Sequence, residues 1–143
     1  MFDLLRLVRA PRVKVGDFLD RWYEEWFVDA APLGPLGERV AARHLRRRGY
    51  VILARNYRTA RGEIDLVAAD DGTLVFIEVK ARSTTGYGTP QAAVDERKQL
   101  RIRHAANAYR AAHRVGYLPV RFDVVAIVGV GPCRRLELLK NAF

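Results

Sequence analysis

Two carboxylates and a lysine stand at a spacing that suits metal binding and the steering of a water. Asp65 lies in Gly62-Glu63-Ile64-Asp65-Leu66-Val67, and Glu78 and Lys80 lie in Phe76-Ile77-Glu78-Val79-Lys80. The two acids are 13 positions apart, and between them runs Asp70-Asp71-Gly72, a hairpin-turn signal flanked by apolar residues. Strands joined there fold back on each other, so Asp65 and Glu78, about equally far from the turn, meet side by side. Glu78 and Lys80 are two apart on a strand and share a face. Two carboxylates and a lysine at one spot are able to hold a divalent metal and steer a water.

The segment Val75 to Val79 is apolar on both faces apart from Glu78. A doubly buried strand does not ordinarily carry Glu and Lys at its end unless they are paired or functional. The plainer reading is an ion pair at a solvated strand end. Glu63 shares a face with Asp65, so alternation alone leaves either acid as the ligand.

The elements that must place these groups follow from pattern and breakers. Gly37 to Arg48 reads as a helix stopped by Gly49, and a strand follows from Tyr50 to Tyr57. The hairpin strands are Gly62 to Ala69 and Thr73 to Ala81, with a polar loop after them from Arg82 to Pro90. Asp95 to about His113 is a long helix, Val120 to Val128 a buried strand, and Arg135 to Leu139 a short edge strand. The long helix serves as a crossover that returns the chain to the same sheet. The expectation is an α/β fold, a mixed sheet of about five strands flanked by helices.

Residues 1–35 form an extension and linker ahead of a domain at 36–143. In it Phe18, Trp22, Tyr23, Trp26 and Phe27 recur at helical spacing within Asp17 to Val28, and Ala31-Pro32-Leu33-Gly34-Pro35 ends the helix. Packing on the domain or on a second copy is the favoured use of that aromatic stripe, with a membrane surface the weaker reading.

Taken together, Leu36-Gly37-Glu38, Gly49 to Leu53, Arg55-Asn56-Tyr57-Arg58, Gly62 to Leu66, Val75 to Arg82, Gly88-Thr89-Pro90, Ala93-Val94-Asp95 and Arg121-Phe122-Asp123-Val124 form an ordered set. The set resembles the YraN-like family of the PD-(D/E)XK, or restriction-endonuclease-like, nuclease superfamily, which includes Holliday junction resolvases. The resemblance covers about residues 36 to 140, as befits one domain. It implies a restriction-endonuclease-like fold and picks Asp65 over Glu63. It also implies a metal-dependent endonuclease acting on DNA, with branched or structured DNA in repair or recombination as the expected substrate, and a homodimer as the expected assembly.

On that reading Asp65, Glu78 and the carbonyl of Val79 hold the metal. Glu38 reaches it directly or through water, and Lys80 orients the attacking water and stabilises charge developing on phosphate. An all-oxygen set suits Mg²⁺ or Mn²⁺ better than zinc. For Glu38 the plainer reading is an acid placed in the first helical turn to complement the dipole.

Charge supports a polyanionic partner. There are 25 basic and 16 acidic residues, a formal charge of +9. A small domain this basic suits nucleic acid, although a GC-rich genome, with arginine as the default surface residue, gives the same surplus. Candidate nucleic-acid contacts are Lys98, Arg82, Arg58, Gln91, Arg97 and Arg101. Lys98 starts the inward face of the long helix ahead of Ile102, Ala105 and Tyr109; it either approaches the carboxylates or covers apolar surface with its stem. Tyr87, between Gly86 and Gly88, is a candidate for stacking on a base.

Cys133 is the single cysteine, which excludes an internal disulfide framework and fits a reducing cytoplasm. No stretch reaches membrane-spanning length, and Asp3 and Arg6 interrupt the apolar start. His44, His104 and His113 form no metal-like cluster with acids. Asp123 is read as a structural hydrogen-bonding or ion-pairing group. The competing class is a non-catalytic module of nuclease fold that binds nucleic acid and recruits partners; clustered acids facing an anionic ligand argue against it.

Overall fold

A computed structural model describes Leu4, Val8 and residues 33–82, 94–129 and 134–143. The elements in chain order are α1 (Leu33–Arg47), β1 (Val51–Thr59), β2 (Gly62–Asp70), β3 (Thr73–Arg82), α2 (Glu96–Ala112), β4 (Val120–Val128) and β5 (Arg135–Leu139). They build one sheet of five strands in the order β1-β2-β3-β4-β5. The first three strands are an antiparallel meander, β4 runs parallel to β3, and β5 is antiparallel to β4. This is the α/β mixed sheet flanked by helices that the sequence implies.

Both faces of the sheet are covered. Ile102, Ala105, Ala106 and Tyr109 of α2 pack with Val67, Phe76 and Val124 on one face. Ala41, Ala42 and Leu45 of α1 pack with Leu66, Ile77, Val125 and Ile127 on the other. That double cover is why β3 and β4 are apolar at successive positions rather than alternating. Val8 is also buried in the α2-side cluster, and its carbonyl accepts from Gly72 N at 3.0 Å. The aromatic stripe from Phe18 to Phe27, together with Tyr87, Gln91 and Cys133, lies outside the described residues.

Local signals account for the element ends. Asp71 and Gly72 both take positive φ, 50° and 78°, the mirror-image two-residue turn that matches strand twist. This turn fixes the β2–β3 register, in which Asp70 faces Thr73 and Leu66 faces Ile77. At the end of α1, Gly49 adopts φ 86°, Gly49 N bonds Arg46 O at 2.9 Å and Tyr50 N bonds Leu45 O at 3.1 Å, which completes a Schellman cap. Asp95 caps α2 by accepting from Lys98 N at 2.8 Å.

One boundary differs from the sequence expectation. α1 begins at Leu33, so Leu33 to Pro35 are helical rather than linker. Proline is tolerated there because the first turn has no intrahelical partner for its missing N–H. Glu38 is therefore past the first turn, which contains no acid, and the dipole explanation for it fails.

Gly62 marks a close approach of backbones. A Cβ built on it would lie 2.1 Å from the carbonyl oxygen of Arg101 and 2.8 Å from its carbonyl carbon. The neighbour is helix backbone and has no flexible end to yield. Gly62→Ala is expected to push α2 off β2 and destabilise the fold by about 1–3 kcal/mol, read as a lower urea midpoint. A change within about 0.5 kcal/mol would show that the helix slides freely.

Candidate nuclease site

The site forms where the sheet is locally interrupted. Along β2, the ladder to β1 passes from Arg55↔Leu66 to Tyr57↔Ile64. The ladder to β3 stops at Leu66↔Ile77. Asp65 is the residue skipped in the first ladder and lies just past the last pair of the second. Continuing the hairpin register places it opposite Glu78, as the turn spacing predicts. Ile64 and Val67, three apart, pack into the same cluster, so β2 is irregular at Asp65. The Asp65 carboxylate occupies the break by accepting from Val79 N at 2.8 Å.

Glu78 is the centre of the charge arrangement. Only 4 % of it is exposed, and its Oε2 is a buried oxygen without a hydrogen-bond partner. Its Oε1 faces two ammonium groups, Lys80 Nζ at 3.4 Å and Lys98 Nζ at 3.5 Å. Burial pushes the Glu78 carboxyl up to about 7, and the adjacent Asp65 carboxylate adds to this, while Lys98 and Lys80 pull the other way. Lys98 thus approaches the carboxylates from α2. The same ammonium lies 3.7 Å from Glu63 Oε1, and Arg58 Nε lies 3.7 Å from Glu63 Oε2.

Glu38 comes from α1. Its Oε2 accepts from Asn56 Nδ2 at 2.6 Å. Its pKa is raised by partial burial, with Asn56 opposing and the Asp65 charge adding to the rise. Asn56 is a residue that sequence reasoning passed over. It sits within β1 at φ 49°, the left-handed region, across from the skipped Asp65. Asparagine tolerates that conformation better than most residues, and an asparagine inside an otherwise β-forming run is the signal that marks it.

The remaining candidates are dispersed. Arg97 and Arg101 are exposed on α2, and Arg82 closes β3 beside Val128. Val79 places its N–H on Asp65 and its side chain in the α1-side cluster. His44 lies on α1, taking a bond from Arg48 Nη1 at 3.0 Å; burial first, then Arg48 and Arg47, push it down to about 4. Asp123 is fully buried and bound by Arg121 at 2.8 Å, so it is the structural ion pair expected of it.

A hard divalent cation fits these residues. The donors are oxygens, two carboxyls abut, and the orphaned Oε2 of Glu78 is an acceptor that burial has left without a donor. Among the described residues no three His, Cys, Asp or Glu side chains close a ready-made cage. Among the described residues no helix is long and apolar enough to cross a membrane.

Comparison with known proteins places the chain. Residues 37–127 match the family described as "Uncharacterised protein family UPF0102". A UPF0102 protein of Geobacter sulfurreducens is 50% identical over 114 residues, covering 78% of this chain and 88% of that protein. One from Syntrophus aciditrophicus is 46% identical over 110 residues, covering 77% and 87%. One from Alkaliphilus oremlandii is 40% identical over 113 residues, covering 78% and 97%. With the interrupted sheet, the Asp65–Glu78 pair and Lys80 in place, these matches show that the chain belongs to the UPF0102 family, the YraN-like group of the PD-(D/E)XK superfamily.

Proposed function

We propose that this chain is a divalent-metal-dependent endonuclease that hydrolyses phosphodiesters of DNA. The observation that carries the reading is Glu78, a carboxylate held inside the domain against Asp65 with one oxygen unpartnered and lysines at its mouth. A fold does not keep such a group for stability, because an under-compensated buried charge destabilises it.

Asp65 and Glu78 would hold Mg²⁺ or Mn²⁺, with the Val79 carbonyl, and Glu38 through a water. A metal held there would supply Lewis-acid stabilisation of developing negative charge and would make a nearby water more acidic. Lys80, beside Glu78, orients the attacking water and meets the negative charge that grows on the phosphate. Lys98 faces the same carboxylate from the helix and is placed to bind a backbone phosphate. Arg58, Arg97 and Arg101 are the further proposed contacts to backbone phosphate, sequence-tolerant and salt-dependent. Branched DNA in repair or recombination is the proposed substrate class, a homodimer the proposed assembly and the cytoplasm the proposed location.

The test is cleavage of labelled duplex, single-stranded, flap and four-way-junction DNA with Mg²⁺ or Mn²⁺, wild type beside Asp65→Asn and Lys80→Ala. Metal-dependent cutting lost in both variants supports the reading and identifies the preferred shape. Binding without cutting favours the non-catalytic module. Cutting that survives both substitutions removes the site assignment.

A further inference from the structure

Five charged side chains run from solvent into the site with alternating sign: Arg58, Glu63, Lys98, Glu78 and Lys80. Side-chain exposure falls along the first four, from 74% at Arg58 through 46% and 26% to 4% at Glu78. Glu63 is the one member of this row without a place in the proposed chemistry. It lies across from Arg58 in the β1–β2 ladder and two residues from Asp65 on the same strand.

Its two oxygens are used separately. Oε2 faces Arg58 Nε and Oε1 faces Lys98 Nζ, each at 3.7 Å. That distance is too long for a hydrogen bond, so the carboxylate holds both cations by charge alone. Such half-exposed pairs are weak and screened by salt. A phosphodiester presents the same feature, an anionic group with two oxygens pointing at different donors. It would also close the gap to short, charge-assisted hydrogen bonds with Arg58 and Lys98.

We infer that Glu63 occupies the place of a nucleic-acid backbone phosphate beside the cleavage centre, holding Arg58 and Lys98 ready until substrate displaces it. This rests on the proposed function, since it names how that site receives its polyanion. Glu63 is then a positioning residue that trades affinity for order: it lowers the strength of DNA binding while keeping two cations aimed at one point.

The experiment is binding of a short fluorescein-labelled DNA duplex, followed by anisotropy at low ionic strength with EDTA present. Wild type, Glu63→Gln, Arg58→Ala and the Arg58→Ala/Glu63→Gln double variant are compared. Asp71→Asn, an exposed acid at the hairpin tip, serves as the control for a general change of charge. Glu63→Gln is expected to tighten binding about three- to tenfold, and Asp71→Asn to change it less than about twofold. In the Arg58→Ala background the gain from Glu63→Gln should shrink to about twofold or less. Wild-type binding without a gain in Glu63→Gln, or a gain equal to that of Asp71→Asn or undiminished without Arg58, would overturn the inference and leave the nuclease reading standing. No binding by wild type or by Glu63→Gln would overturn the inference, while the nuclease reading is decided separately by the metal-dependent cleavage assay.

Discussion

Glu78→Gln is expected to make the metal-free protein more stable while cutting metal-dependent DNA cleavage by at least about 10³-fold. The stability half follows from burial. The Glu78 carboxyl has a folded pKa raised from 4.5 to about 7. A raised carboxyl binds its proton more tightly in the folded chain, so the stability it contributes is fully present below 4.5 and lost as pH rises through 7. At pH 8 the wild-type protein carries a buried carboxylate that Lys80 and Lys98 compensate only at 3.4 and 3.5 Å. Glutamine keeps the volume, removes the charge and is expected to raise stability by about 1–3 kcal/mol at pH 8. Near pH 4 that advantage should vanish. The functional half follows from the same carboxylate. Without it, divalent metal should no longer shift the unfolding midpoint, whereas wild type should gain about 2.7 kcal/mol at a metal concentration of 100 Kd. Thermal unfolding with and without Mn²⁺, run beside the cleavage assay, reads both halves. A variant that is less stable than wild type at pH 8 and still responds to Mn²⁺ would make Glu78 a structural ion-pair partner.

The parts of this arrangement legible in the sequence are those fixed by short-range rules. Asp71-Gly72 dictates the turn, the turn dictates the register, and the register brings Asp65 opposite Glu78. Asp95 and the helical spacing of Ile102, Ala105 and Tyr109 locate α2 and put Lys98 at its inward start. What was not legible depends on approaches between distant segments. The skipped pair opposite Asp65 goes with Asn56 in a left-handed conformation, which strand propensity disfavours, and the Asn56 amide donates to Glu38 across a separation no local pattern shows. The link from Glu63 to Lys98 needs α2 to sit almost on the β2 backbone, which the missing side chain of Gly62 permits. The burial of Val8 is likewise a tertiary event in a stretch whose own pattern is interrupted by charge. Asp123 was legible as a structural acid, because a lone acid inside an apolar strand needs a partner. Arg121 two residues before it supplies one, but Tyr50 and Asp70 could not be foreseen as members of the same group.

That group gives the largest expected change in stability. Arg121→Ala is expected to destabilise the fold by about 3–5 kcal/mol, a large part of the roughly 5–15 kcal/mol that holds a domain together. Arg121 grips both oxygens of Asp123, Nε to Oδ1 and Nη2 to Oδ2, each at 2.8 Å. The same Nη2 meets Asp70 Oδ2 and the Tyr50 hydroxyl at 2.8 Å. Asp123 is 0% and Asp70 2% exposed, so removing the guanidinium leaves buried carboxylates under-compensated. Lys140 still reaches Asp70 at 3.0 Å, and Asn141 N still donates to Asp123 at 2.9 Å. These surviving bonds keep the expected loss from exceeding that range. The guanidinium joins the end of β2 and the start of β4 to Tyr50, just ahead of β1, so its loss should be felt by the whole sheet in a single unfolding transition. Asp123→Asn in the Arg121→Ala background should recover part of the loss. It removes the stranded charge and keeps an oxygen for Asn141 N. The network lies on the α1 face, opposite the α2 face that carries Glu78 and Lys80, so DNA affinity at a temperature where the variant is folded should stay near wild type. Urea titration of the single and double variants decides the matter. A loss below about 1 kcal/mol, or no recovery in the double variant, would mean that water reaches Asp123 readily and that packing alone sets the register of β4.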